Sequence, residues 1–164
     1  MSTPTVLFLC TGNSARSILA ESLLNTLGAG RFSAVSAGSF PKGQVHPAAL
    51  ALLERKGHDL TGLRSKSWDE FGTGPDAAPI DYIFTVCDAA AAETCPVWPG
   101  RPSSAHWGIP DPAAVEPAGP EQDAAFETAY VQMERRIRAF LALFDGETPA
   151  DLTAELKAIG QIRD

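Results

Sequence analysis

The chain has 164 residues, is 45% apolar and 20% charged, and carries a formal net charge of −7. That is enough chain for one domain with a sizeable core. Its acidic balance lacks the basic face that nucleic acid or an anionic membrane requires. No apolar run approaches a membrane span, and Met1-Ser2-Thr3-Pro4 leads straight into an apolar run, as expected of a chain without a secretory leader. Three cysteines in such a chain point to a cytoplasmic protein with redox-active thiols, not to a secreted disulfide scaffold.

Val6-Leu7-Phe8-Leu9 reads as a buried parallel strand. Behind it, Ile18 to Leu27 reads as a helix whose apolar positions 19, 20, 23, 24 and 27 form one buried stripe. Between them lies Cys10-Thr11-Gly12-Asn13-Ser14-Ala15-Arg16-Ser17. A cysteine is thus placed at the carboxyl end of a strand, facing a helix N-terminus, where open α/β sheets bind ligands. Inward-turned amides from Cys10 to Arg16 can form an anion-binding concavity, and the helix dipole favours an anion there. The Arg16 fork suits tetrahedral oxyanions. Gly12 permits close backbone approach, Asn13 can hydrogen-bond within the loop, and Ser14 or Ser17 could donate to the sulfur. The same field is expected to depress the Cys10 pKa and make it a nucleophile. The competing reading is a buried, inert cysteine.

Phe32 to Ser36 reads as a second strand, with Ser36 either facing the anion loop or capping a local turn. Pro47 opens a helix through Lys56, stopped by Gly57. His46, just before it, reads as a solvated cap. Trp68 and Phe71 anchor a short helical turn. Arg64 and Lys66 beside it read as a solvated face that can add positive potential. Residues 72–79 form a loop.

Ile80 to Val86 is the third strand, so Cys87 falls on the same sheet edge as Cys10. Asp88 to Thr94 can form a helix capped by Asp88, with Cys95 at its far end. Such a helix holds Cys87 and Cys95 roughly 12 Å apart, whereas a disulfide needs Cα atoms within about 7 Å. The two can bond only if the segment unwinds. No accompanying His or Cys cluster gives a zinc pattern, so no metal site is expected.

Ser104 to Trp107 is a short fourth strand leading to Gly108-Ile109-Pro110-Asp111-Pro112. Asp111, held between prolines, can donate a proton to a leaving oxygen if partial burial raises its pKa. Alternatively, it caps a turn, the usual fate of Asp-Pro. Glu121 to Phe144 is the longest helix, with an apolar stripe from Phe126 to Phe144. Its charged residues Glu134, Arg135, Arg136 and Arg138 read as solvated. Thr148-Pro149 opens a final short helix carrying Leu152, Leu156 and Ile159.

The Cys10–Ser17 loop, Cys87, Cys95 and His106-Trp107-Gly108-Ile109-Pro110-Asp111-Pro112 together resemble the arsenate reductases built on the low-molecular-weight protein tyrosine phosphatase fold. The loop alone names only oxyanion chemistry; the added cysteines and the His-Trp-Gly stretch are more specific. The resemblance implies an α/β, three-layer αβα domain over residues 1–164, with a four-stranded parallel sheet of order 2-1-3-4 and residues 148–160 as a C-terminal helical extension. It also implies a cascade. Arsenate sits on residues 11–17 (Thr11, Gly12, Asn13, Ser14, Ala15, Arg16, Ser17), with phosphate or sulfate as mimics. Cys10 attacks it while Asp111 protonates the departing hydroxyl. Cys87 then resolves the adduct, Cys95 attacks Cys87, and thioredoxin reduces the Cys87–Cys95 disulfide. No bound cofactor is implied.

Two departures from the family pattern bear on this. Asn13 and Ser36 match part of a potassium site that some members carry, but Arg64 and Lys66 stand where others supply oxygen ligands. Their charge opposes a cation, so no functional potassium site is expected. Ala113-Ala114 follow Asp111-Pro112 where the phosphatases place aromatics that clamp a substrate ring. A phosphatase, a glutaredoxin- or glutathione-coupled reductase and a non-catalytic oxyanion sensor are the alternative readings.

Overall fold

The computed structural model describes residues 3–71, 79–87, 102–146 and 149–162. The expected 88–94 helix, Cys95 and the Thr148 cap lie outside these residues.

Four strands form one parallel sheet: β1 (Thr5–Leu9), β2 (Ser33–Ala37), β3 (Tyr82–Thr85) and β4 (Ser103–His106). Their order is β2-β1-β3-β4, with every pairing parallel. This is the α/β arrangement expected from the alternation of short apolar strands with helical segments. Because β1 and β3 are central, the carboxyl ends that bear Cys10 and Cys87 are adjacent.

The two faces of the sheet are covered differently. Val6 and Phe8 of β1 point into the main core, with Phe84, Trp107 and apolar residues of helices α1 (Arg16–Leu27), α2 (Pro47–Arg55), α3 (Pro120–Ala142) and α4 (Leu152–Ile159). Leu7 and Leu9, one residue out of phase as strand alternation requires, join Ala37, Ile80 and Ile83 on the other face. Among the described residues, that face is covered by the 3₁₀ turn Trp68–Phe71.

α1 is buried more completely than its apolar stripe predicts. Every residue from Ser17 to Leu24 is buried, including Ser17, Glu21 and Ser22. Tertiary packing accounts for this: α1 lies against β1 and β2 on one side and against α2 and α3 on the other. Each buried polar residue therefore has a partner, and Ser22 Oγ lies 2.8 Å from His58 Nδ1. His46 does cap α2, its Nδ1 accepting from the Ala48 amide at 3.0 Å. The ring is half-buried, however, with its centroid 4.8 Å from that of Phe126. Arg136 departs further from expectation. It is buried at 3% exposure, with Nη2 donating to the Ile162 carbonyl at 3.1 Å.

β2 ends beside the strand that delivers Cys10. The Cys10 amide donates to the Ala37 carbonyl at 3.2 Å. A Cβ on Gly38 would lie 2.3 Å from the Thr11 carbonyl oxygen and 2.6 Å from that of Cys10. Gly38→Ala should therefore push the loop off β2, at a cost of roughly 1–3 kcal/mol, as other overpacked sites suffer. Urea denaturation measures the stability, and phosphate titration measures the accompanying loss of anion affinity.

Candidate active site

The loop from Cys10 to Arg16 turns its carbonyls outward. Thr11 O accepts from the Phe40 amide at 3.0 Å, Gly12 O from the Lys42 amide at 3.0 Å, and Ser14 O from the His46 amide at 2.9 Å. Ser65 Oγ also donates to Gly12 O at 3.2 Å. With the carbonyls held by the 38–46 loop, the amides are left to face the concavity. α1 begins at Arg16 behind Ala15, which supplies no side-chain cap, so its first amides are free for an anion.

Asn13 has a positive φ of 44°, a region that Asn tolerates better than most residues. It is fully buried. Its amide nitrogen donates to Ser17 Oγ at 2.8 Å and to Ser36 Oγ at 2.9 Å, and its oxygen accepts from the Lys66 amide at 2.9 Å. The Ser17 hydroxyl thus serves Asn13, whereas the sequence had offered it as a donor to the sulfur. Ser36 does turn toward the loop, and it passes its own proton to Glu21 Oε1 at 2.5 Å.

Lys66 completes this network. Expected on a solvated face, it is only 7% exposed. Its ammonium donates to the Arg64 carbonyl at 3.0 Å and lies 3.7 Å from Glu21 Oε1. Burial raises the Glu21 pKa against the pull of Ser36 and Lys66. Burial lowers that of Lys66 against the pull of Glu21. The cation beneath the anion loop is therefore one of the chain's own side chains. Arg64 stays at the surface and pairs with Glu70.

Cys10 is 6% exposed and Cys87 3%. Both are reduced. Cys87 Sγ lies 3.4 Å from the Thr11 amide and 3.7 Å from its hydroxyl. The neighbouring Cys87 thiol, followed by burial, raises the Cys10 pKa. Arg16 and the Gly12 amide act in the opposite direction. The expectation of a depressed Cys10 pKa therefore fails for the empty site, because the partner sulfur outweighs the loop's field.

Arg16 reaches across the mouth to the loop after β4. Its Nη1 donates to the Ile109 carbonyl at 3.1 Å, and its Nη2 lies 3.6 Å from Asp111 Oδ2. Its Nε is buried without a hydrogen-bond partner, a donor available to a bound oxyanion. Asp111 takes the turn-cap role considered from the sequence, and its second oxygen turns to the cavity mouth. Oδ1 accepts from the Ala113 amide at 3.0 Å as a turn cap, while Oδ2 faces Arg16.

These groups enclose a cavity of about 40 Å³ lined by Cys10, Gly12, Ser14, Ala15, Arg16, Lys42, Asp111 and Ala113. The sequence reading missed Lys42. Its methylenes lie over Gly12, so that a Cβ there would sit 3.2 Å from Cε. The signal was a single basic residue in Pro41-Lys42-Gly43, with no periodicity to rank it above other surface lysines. Larger cavities of about 480 and 550 Å³ lie elsewhere and have no cysteine in their lining.

The family model for low molecular weight phosphotyrosine protein phosphatases matches residues 5–157. The chain belongs to this family. Within it, the chain is 33% identical over 141 residues to the arsenate reductase of Bacillus licheniformis, covering 85% of this chain and 96% of that one. It is 29% identical over 137 residues to a glutaredoxin arsenate reductase of a Synechocystis species, covering 84% and 95%. The thioredoxin-dependent arsenate reductase of Corynebacterium glutamicum superposes with a TM-score of 0.62 at 25% identity, covering 85% of this chain and 61% of that one. The resemblance to the arsenate reductases of this fold and the 2-1-3-4 sheet both stand. No helix, among the described residues, is long and apolar enough to cross a membrane.

Lys66→Met should destabilise the protein by about 3–5 kcal/mol, because it strands a buried carboxylate. The raised Glu21 pKa means that its protonated form is favoured in the fold, so this deficit should shrink as pH falls and grow as pH rises through the Glu21 titration. Glu21→Gln added to Lys66→Met should recover most of it. Chemical denaturation of the three variants across pH tests this. Separately, Cys87→Ala removes the largest influence holding the proton on Cys10. Alkylation of Cys10 by iodoacetamide should then rise at a lower pH than in the unaltered protein.

Proposed function

We propose that this protein reduces arsenate to arsenite through thiol chemistry begun at Cys10 and passed to Cys87 and then Cys95. The observation that carries the reading is a second cysteine, Cys87, seated on the Thr11 amide of the loop whose Cys10 lines an oxyanion-sized cavity with Arg16 and Asp111. A hydrolase working through one cysteine has no task for the second. The names of the relatives support the same substrate.

In this reading the arsenate dianion occupies the cavity, held by the amides of residues 11–17, the free Arg16 Nε–H and the Lys42 ammonium. The Cys10 sulfur bonds to arsenic and one oxygen leaves as water. The departing hydroxyl of the dianion takes its second proton from Asp111, and the proton lost by the Cys10 thiol returns to Asp111, so that one thiol and one arsenate give the sulfur–arsenic adduct and one water. The Cys87 thiolate next attacks the Cys10 sulfur. The sulfur–arsenic bond breaks with its electron pair left on arsenic, which falls from the +5 to the +3 state and departs as arsenite. A Cys10–Cys87 disulfide remains. Cys95 attacks Cys87, freeing Cys10, and thioredoxin reduces the Cys87–Cys95 bond. This last exchange requires the segment between the two cysteines to rearrange.

The chain works as one cytoplasmic domain, with 148–160 as its C-terminal helical extension, and needs neither a bound metal nor a cofactor. Ala113 at the cavity rim offers no aromatic ring to clamp a phosphotyrosine, and phosphomonoester hydrolysis is a weak side activity in this reading. Asp111→Asn should lower arsenite formation by about 10²–10⁴-fold. Cys87→Ser should abolish it while retaining any hydrolysis of p-nitrophenyl phosphate. Turnover of the Cys95→Ser variant with thioredoxin should stop. Full turnover of that variant with glutaredoxin and glutathione would move the protein to the glutaredoxin-coupled type. Unimpaired arsenite production by Cys87→Ser would overturn the cascade.

A further inference from the structure

The loop that carries Asp111 holds Ile109 in the main core and runs into the 3₁₀ turn Pro112–Ala114, which packs on α3. A cavity of about 480 Å³ lies on the far side of Gly108-Ile109-Pro110, between that loop, Arg136 of α3 and the end of α4 at Gly160 to Ile162. Among the described residues, the loop is fixed on both sides. On its inner side the Ile109 amide donates to the Val86 carbonyl at 3.4 Å, and Arg16 holds the Ile109 carbonyl. On its outer side the fixed points come from α4.

Two contacts join α4 to the root of the loop. Trp107 Nε1 donates to the Leu156 carbonyl at 2.9 Å, and Trp107 is fully buried. Its ring stacks on Phe84 with centroids 3.7 Å apart. Gly160 lies so close to β4 that a Cβ would fall 2.2 Å from the His106 carbonyl oxygen and 3.1 Å from Trp107 Cδ1. Beyond the helix, the Ile162 carbonyl accepts from the buried Arg136. Leu156 and Ile159 anchor the helix in the main core.

We propose that α4 is a positioning element for the proton donor, setting the height of Asp111 against Arg16 through Trp107 and Gly160. Only Gly108, Ile109 and Pro110 separate Trp107 from Asp111, and the flanking prolines stiffen the step. A displacement of the His106–Trp107 backbone passes to the carboxylate with little room for absorption. The Cys10 loop is held through Asn13, Ser36 and Gly38 and meets the Asp111 loop at the Arg16 side chain. Trp107 and Gly160 touch no reacting atom. The inference rests on Asp111 being the acid of the proposed reaction.

Single-turnover arsenite formation by the reduced protein tests it without a reductant. Gly160→Ala should lower the rate about tenfold or more, the order expected when a reacting group is misplaced by a fraction of an ångström to 1 Å. Phosphate affinity and the rate of Cys10 alkylation should stay within about twofold of the starting protein. Trp107→Phe keeps an aromatic ring beside Phe84 and removes the donor to Leu156 together with part of a buried side chain. It should lower the rate in the same sense, and it serves should Gly160→Ala not fold. The deciding measurement repeats Gly160→Ala and Trp107→Phe in the Asp111→Asn background, where each should cause no further loss. An equal loss in both backgrounds, or none in either, overturns the positioning role while leaving Asp111 as the acid. Full activity of Asp111→Asn alone overturns both.

Discussion

The buried carboxamide of Asn13 is the interaction on which this site depends. It sits at a left-handed backbone position and spends all its hydrogen-bonding capacity inward: two protons to Ser17 and Ser36, its oxygen to the Lys66 amide. One side chain thus ties the anion loop to α1, to β2 and to the segment that follows α2. Without those bonds a loop holding its amides toward an empty cavity would relax to satisfy them elsewhere. The strain at residue 13 persists because its surroundings over-determine it.

Beneath Asn13 lies the Glu21–Lys66 pair, and the two layers share a member in Ser36. Burial pushes each charge toward neutrality while the partner pulls it back. Such a pair adds little net stability compared with an apolar substitute. It ties the Lys66 side chain to the Asn13–Ser36 network. In a protein whose overall charge is −7, the pocket is a local inversion of the molecule's field, built from Arg16 and Lys42 at the mouth.

The two sulfurs set the resting chemistry. A loop of amides beside an arginine would by itself favour a thiolate. Placing Cys87 near Cys10, in a buried setting, reverses that and favours the thiol. The pairing follows from β1 and β3 being neighbours in the sheet, which ends both strands at one edge.

What the sequence by itself determined was set by local pattern. Short apolar and β-branched runs located the four strands, and period-3.6 spacing located the long helix. A Cys-x5-Arg loop between a strand and a helix named oxyanion chemistry, because the cysteine, the helix N-terminus and the arginine are neighbours along the chain. Cys87 could be put on the right edge because parallel strands end on a common side. Only the tertiary structure decided which polar residues are buried and against what. Lys66, Glu21 and Arg136 carry no local mark separating them from solvated charges; their burial follows from α1 lying between the sheet and two helices, and from α4 closing over the end of α3. Lys42 over Gly12, and Gly160 against His106, are likewise contacts between segments distant in the chain. Periodicity reports which face of an element turns inward, but not which charged group waits on the other side.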